Sequence, residues 1–244
     1  KCLMEMRWWL AAKLKLKDED CKLAEGQAMR LGMLSVLLKE LGDPDWAFVM
    51  DLEKWVALGV GIKMPRTPEA VEEKTKWNLD EPDDGRGHES GNYGTVGDSI
   101  EKVRELFREE QQLGWMEEMP DIEAERRFGK DLYVAALAVV TERDKVRVVH
   151  DGTNGVQVNN RIRVRDQVRS PGAGELRALL RERQERVPGT KLFAILGDAS
   201  KAHRRIKVRE ADWRLQACRL EDGKIWVNKV GTYGVASAGY YWSR

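Results

Sequence analysis

The sequence predicts a mixed α/β (α+β) fold, and three observations carry that prediction. An apolar run at 132–140 and an alternating run at 145–151, separated by a short polar turn, are typical of a β-hairpin. Apolar residues between 22 and 41 recur at helical spacing. Hydrophobic residues make up 42% of the 244 residues, which is enough to cover a sheet with a sizeable core.

The helices predicted from spacing and end signals lie mostly at the two ends of the chain. The first spans 22–41, where Gly and Pro then stop it, and a second runs over 46–58. A third begins at Asp98, whose side chain can cap it. Further helices are expected at 173–186, before Pro188 and Gly189, and in the last residues after a Gly turn.

Two further strand patterns follow in the second half of the chain. The apolar run 192–196 predicts a buried strand that ends at Asp198. Residues 213–230 predict a hairpin with Asp222 and Gly223 at its turn, and we expect the strand to lie beside this hairpin in an antiparallel sheet. Segment 59–97 is rich in Gly, Pro and charge, which indicates a linker or irregular loop. The predicted division is therefore 1–58 helical, 59–97 linker and 98–244 folded α/β unit.

Charge is distributed unevenly along a nearly neutral chain. Residues 142–210 hold 17 basic and 9 acidic side chains, whereas 1–141 hold 20 basic and 29 acidic ones. A basic middle indicates a localised site for a polyanion, although an ordinary solvated Arg-rich face would give the same composition. The alternation of Arg161, Arg163 and Arg165 places them on one face of a predicted strand, either as contacts to a nucleic-acid backbone or as the charged protection of an edge strand.

Other classes of protein find little support in the sequence. No apolar run approaches the roughly 20 residues that span a membrane, and no secretory signal is present. Neither the three cysteines nor the three histidines form a metal-ligand pattern, so reduced thiols in an intracellular protein are expected. The chain begins without Met, which suggests an excised fragment.

Asp198 is the strongest candidate for chemistry. A strand end fixes a side chain rigidly, and a carboxylate oxygen is the ligand that Mg²⁺ prefers, as phosphoryl transfer requires. The same residue type at the same place is also a common turn or helix cap.

The order of four segments extends this reading. In 114–151 a helix and Gly lead into a strand, a turn, and a strand that carries Lys145, Arg147 and Asp151; "LFAILGDASKAHRRIKV", "ADWRLQACRLEDGKIWVNKV" and "TYGVASAGYYWSR" follow. This ordered set resembles the fingers and the first part of the palm of reverse transcriptases of the retroviral and long-terminal-repeat retrotransposon type. The resemblance covers residues 98–244.

The resemblance implies a right-hand polymerase fold and RNA-templated DNA synthesis by two Mg²⁺ ions on an RNA or DNA primer-template. It implies that Asp198, with the Ala199 carbonyl, binds metal. Arg147 would contact the phosphates of the deoxynucleoside triphosphate, with Lys145 or Arg143 as a second phosphate contact. Ala202 and His203 would form the floor of the sugar pocket, and Tyr233 and Gly234 would flank the nucleotide, where glycine allows a close backbone approach. Asp151 and the three alternating arginines would lie near the template. The rest of a polyprotein is a further implied partner.

The departures from the family pattern concern the chemistry. His203 stands where Tyr or Phe is usual, Thr232 and Gly239 replace prolines, and Thr153 replaces an Arg. The Tyr-x-Asp-Asp motif does not occur, so we expect these 244 residues to be inactive as a polymerase. The alternatives are a degenerate retroelement-derived protein that only binds nucleic acid or a partner, and an unrelated α/β interaction domain.

Overall fold

A five-stranded mixed sheet forms the centre of the chain. The computed structural model describes residues 2–24, 27, 29–68, 89–142, 145–166, 169–193 and 197–244. The strands, in the spatial order β1-β5-β4-β2-β3, are β1 Met116–Pro120, β2 Val134–Glu142, β3 Lys145–Asp151, β4 Ala217–Cys218 and β5 Lys224–Asn228. Only the β2–β4 pair of this sheet is parallel. The predicted α/β class is therefore confirmed.

Along the chain, helices precede, connect and follow these strands. They are α1 Cys2–Lys13, α2 Leu31–Glu40, α3 Trp46–Glu53, α4 Gly94–Gly97, α5 Ile100–Gln112, α6 Asp121–Phe128, α7 Val158–Arg161, α8 Ala173–Arg186, α9 Glu210–Trp213 and α10 Ala236–Ser243. The predicted helices at 173–186 and in the last residues are confirmed. Within the described ranges, every helix is too short or too polar to cross a lipid bilayer.

Both predicted hairpins are present. Strands β2 and β3 pair antiparallel over seven positions, from Ala136–Asp151 to Glu142–Lys145. Strands β4 and β5 pair antiparallel, with Gly223 at a φ of +79° in the turn between them. The pairing follows from the sequence because a run of Val and Ala fills the buried end of β2 and a glycine accepts the left-handed turn.

Helix α5 covers one part of the sheet with its apolar stripe. Val103 and Phe107, four residues apart, are buried on the same side of the helix. The Phe107 ring meets the Trp226 ring of β5 edge to face, with the ring centroids 5.2 Å apart. The helix is therefore held against the strands that follow it.

The first third of the chain contributes to the same core as the sheet. Val56 pairs with Val208 in a parallel bridge, and both side chains are buried. The Tyr241 hydroxyl of α10 donates to the Ala57 carbonyl over 2.9 Å, and Arg244 pairs with Asp45 at 2.7 Å. The proposed division at 58 and 97 stays a prediction, and residues 69–88 of the predicted linker lie outside the described residues.

Three predicted helix boundaries are wrong. Helix α2 begins at Leu31, and the described residues of the predicted helix that precede it, among them Gln27 and Arg30, are not helical. Helix α3 ends at Glu53 because Val56 joins the bridge to Val208. Asp98 follows α4, a helical turn within the stretch predicted as irregular, so it is not the cap of α5.

Candidate functional site

A cleft of about 540 Å³ opens between α5, strand β3 and two loops. The first loop, 198–204, follows α8 in the sequence. The second, 232–233, leads into α10. The predicted site residues that line the cleft are Lys145, Arg147, Asp198, Ala199, Ala202 and Tyr233. Folding therefore collects six side chains that were assigned to one site from three separate parts of the sequence.

Strand β3 supplies the basic wall of the cleft. Lys145 and Arg147 are two positions apart, so the strand places them on one face. Arg147 is 46% exposed, and it forms an ion pair with Glu142 at 2.6 Å. A surface pair of this kind stabilises the fold by about 0–1 kcal/mol at most, so a phosphate can compete for the guanidinium.

Asp198 and Ala199 lie on an exposed loop that faces this wall. The predicted buried strand is wrong where it can be judged, because Phe193 is 86% exposed and residues 197–199 belong to no strand. Residues 194–196, the middle of that prediction, lie outside the described residues. Lys201 has a φ of +54°, and a 3₁₀ turn over Ala202–Arg205 follows it. A loop and not a strand end therefore presents the Asp198 carboxylate.

Tyr233 links the two walls. Burial raises the pKa of its hydroxyl, while the charge of Arg147 lowers that pKa and the charge of Asp198 raises it. Both charged residues are thus within electrostatic reach of one hydroxyl. The Tyr233 ring also packs on His203, with the ring centroids 4.9 Å apart. His203 packs behind this tyrosine, where burial lowers the pKa of the imidazole, while Ala202 lines the cleft.

Gly234 makes its close contact with the protein backbone. Its φ is +99°, and a Cβ at this position would overlap the carbonyl oxygen of His150. The His150 N–H donates to the Tyr233 carbonyl over 2.9 Å, and the Asn159 amide donates to the Gly234 carbonyl over 2.7 Å. The small residue was assigned to nucleotide approach, whereas here it lets the Tyr233 loop dock on β3.

Asp151 organises the turn after β3. Its carboxylate accepts the backbone N–H groups of Thr153 and Asn154 and the hydroxyl of Tyr93. Burial raises the pKa of this carboxyl, but the hydrogen bonds outweigh burial and lower it to about 2. The role of Asp151 at a template stays a prediction.

The three alternating arginines do not form the predicted strand. Arg161 ends α7, Ile162 makes a bridge to Val60, and residues 163–165 lie outside the strands of the sheet. The alternation itself is present, since Ile162, Val164 and Asp166 are buried between half-buried arginines. The Arg161 guanidinium lies 5.0 Å from the Tyr133 ring, so it also packs against the protein.

An ion pair in the lining of the cleft, between Glu110 and the buried Arg204, was missed by sequence reasoning. Arg204, only 3% exposed, donates to the Glu110 carboxylate of α5 at 2.5 Å and to the Asn228 side chain at 2.8 Å. Burial lowers the pKa of Arg204, and Glu110 raises it. Arg204 lies in the 3₁₀ turn Ala202–Arg205, where neither the strand period nor the α-helix period predicts which side chains are buried.

The described part of the cleft contains few carboxylates that could bind a metal ion. In the described parts of the chain, no three His, Cys, Asp or Glu side chains are grouped closely enough to hold a metal. The cleft is lined by Asp198 and Glu110, and Glu110 is already paired with Arg204 at 2.5 Å and with Lys201 at 3.7 Å. Among the described residues that line the cleft, Asp198 is therefore the exposed carboxylate that could meet a metal ion.

Comparisons with known proteins give no family for this chain. No protein-family model matches it, and no curated protein matches it either.

Proposed function

We propose that the cleft is the nucleotide-binding end of a reverse-transcriptase-like module of the retroelement type. The parent activity would be template-directed DNA synthesis on an RNA or DNA primer-template, as part of an intracellular polyprotein. The observation that supports this most directly is that Arg147 and Asp198, 51 positions apart, line the same cleft. A chance resemblance gives no reason for this convergence.

The chemistry of the cleft suits a nucleoside triphosphate. The Arg147 guanidinium can pair with two phosphate oxygens at once, and Lys145 adds a second positive charge from the same strand. Tyr233 and Ala202 offer a ring and a small apolar surface for the sugar and the base. Asp198 would face the metal ion that accompanies the triphosphate as part of the substrate.

A second candidate is a degenerate retroelement protein that binds nucleic acid without catalysis. The observation that favours it is the pairing of Glu110 with Arg204, which leaves one exposed carboxylate against several cations in the cleft. Such a site would bind phosphates through counterion release, so affinity for a primer-template would be weak, independent of sequence and steeply lowered by salt.

The test is titration of the purified chain with a fluorescent deoxynucleoside triphosphate in the presence of Mg²⁺. Arg147→Ala should weaken binding roughly 10-fold or more because a charge-assisted hydrogen bond is lost. Arg147→Lys keeps the charge but loses the bidentate geometry, so its affinity for the nucleotide should lie between those of the native chain and the Arg147→Ala variant. Arg126→Ala, an exposed arginine of α6, is the matched control. Equal affinity of the Arg147→Ala and Arg126→Ala variants would reject the proposed site.

A further inference from the structure

A second basic surface adjoins the cleft, with which it shares Arg204. A depression of about 120 Å³ is lined by Trp55, Arg205, Lys207, Lys229 and the buried Trp115 and Arg204, together with Leu113, Gly114 and Val230. Four of these nine residues are cations, and none is a carboxylate. We refer to this depression and its rim as the Trp55 surface.

Four backbone segments lie side by side beneath the Trp55 surface. The Val56 N–H donates to the Lys207 carbonyl at 2.9 Å, and the Val208 N–H donates to the Lys229 carbonyl at 3.0 Å. The Lys229 N–H in turn donates to the Trp115 carbonyl at 2.9 Å. With neighbouring segments about 4.8 Å apart, the row is about 14 Å wide, or about four nucleotides at the 3.4 Å rise of a stacked strand.

Trp55 is the exposed aromatic residue of this row. Its side chain is 55% exposed although the next residue, Val56, is buried in the bridge to Val208. The Lys207 ammonium lies 5.7 Å from the Trp55 ring centroid. The Trp213 ring is tilted by 55° against the Trp55 ring, with the ring centroids 6.2 Å apart. The Trp55 ring therefore stays largely exposed next to the buried Val56, with the Lys207 ammonium over it.

The remaining cations are held in place by tryptophans as well. The Arg205 guanidinium lies 5.1 Å from the Trp115 ring, and the Lys229 ammonium lies 5.1 Å from the Trp213 ring. Lys229 also pairs with Glu117 at 2.8 Å, so part of its charge is already neutralised. Lys207 therefore brings its positive charge next to the exposed Trp55 ring.

We propose that the Trp55 surface binds single-stranded nucleic acid. A base would stack on Trp55, while the backbone phosphates would lie along Lys207, Arg205 and Lys229. Stacking on an aromatic face combined with a row of cations is the general way in which proteins hold single strands without reading sequence. An acidic peptide would use the cations but leave the exposed ring without a partner. The inference is independent of whether the cleft takes a nucleotide.

The test measures fluorescence anisotropy of labelled dT12 and rU12 with the full chain at low salt. Trp55→Ala should weaken binding roughly 5- to 100-fold, whereas Trp55→Phe should recover most of the affinity. Trp9→Ala, another exposed tryptophan, is the matched control. Lys207→Gln should weaken binding and lower the salt slope by about 0.7, compared with Lys130→Gln, an exposed lysine outside this surface.

An abasic oligomer with the same number of phosphates separates stacking from charge. It should bind the native chain and the Trp55→Ala variant equally, since the oligomer has no base to stack on Trp55. Unchanged dT12 binding in both the Trp55→Ala and the Lys207→Gln variants would overturn the proposal, and so would a poly-glutamate peptide that binds as tightly as dT12. Retention of dT12 binding by Arg147→Ala, with nucleotide binding lost, would separate this surface from the cleft.

Discussion

Gly234 and His150 are in such close contact that no side chain fits between them. The Cα of Gly234 lies against the His150 carbonyl oxygen at a φ of +99°, and the backbone hydrogen bond from His150 to Tyr233 adjoins this contact. The loop that carries Tyr233 is thereby fixed on the same strand that carries Arg147. The two walls of the cleft are thus joined through backbone atoms.

Gly234→Ala should consequently disrupt the fold and the cleft together. We expect a loss of about 1–3 kcal/mol in the free energy of unfolding, since the backbone angle is unfavourable for alanine and the new methyl group overlaps the His150 oxygen. Urea unfolding measures this change. Gly239→Ala is the control, because Gly239 lies within α10 with open space around it and alanine favours a helix by up to about 1 kcal/mol. Equal stability of the two variants would contradict the docking argument.

The Glu110–Arg204 pair predicts a second, larger effect. Glu110→Ala leaves the buried Arg204 guanidinium without its counter-charge, so the free energy of unfolding should fall by on the order of 3 kcal/mol. Thermal or urea unfolding at neutral pH measures it. Glu109→Ala, the exposed neighbour in the same helix, should change stability by less than about 0.5 kcal/mol. A Glu110→Ala variant as stable as the Glu109→Ala control would mean that Arg204 finds another partner.

Local pattern predicted much of the sheet because the responsible residues are neighbours in sequence. The β2–β3 and β4–β5 hairpins follow from alternation and from turn residues such as Gly223, and α8 matches its predicted span because strong helix formers fill it. Partners that are distant in sequence could not be predicted in this way. The bridge between Val56 and Val208 ends α3 early, and no residue near Trp46 signals it.

The same distinction applies to the candidate site, where residues of local motifs were predicted and a pair distant in sequence was not. Arg147, Lys145 and Tyr233 lie in the cleft where the order of motifs predicted a common site. The Glu110–Arg204 pair escaped prediction, since neither residue stands out in a chain with 34% charged side chains. Its detection requires knowing that α5 packs over the turn at 202–205, which is a tertiary fact.

His150 predicts how stability depends on pH. The imidazole is 5% exposed, and burial, assisted by the charge of Arg204, lowers its pKa to about 3. The unfolded chain titrates near 6.5, so it binds more protons than the fold between these values. Stability should be complete above about pH 6.5 and should fall by about 2 kcal/mol between pH 6.5 and 5.

Unfolding by urea across that pH range tests this expectation. His150→Gln removes the titrating ring, so most of the slope should disappear. His203 contributes a change of the same sign, because burial also lowers its pKa, and a smaller slope should therefore remain. Measurements should stay above pH 5, since below it Asp151, with its pKa near 2, begins to contribute. A His150→Gln variant with the same slope as the native chain would contradict the assignment.

The last prediction concerns catalysis itself. We expect no primer extension from these 244 residues on either an RNA or a DNA template, because Asp198 is the one carboxylate in the described part of the cleft that no cation neutralises. In-line nucleotidyl transfer needs two metal ions, and one exposed carboxylate holds them poorly. Extension of a labelled primer with deoxynucleotides and Mg²⁺, resolved on a denaturing gel, measures the activity. Asp198→Ala, purified in parallel, sets the background. Extension by the native chain that disappears in this variant would mean that the chain completes a metal site with side chains other than those that line the described cleft.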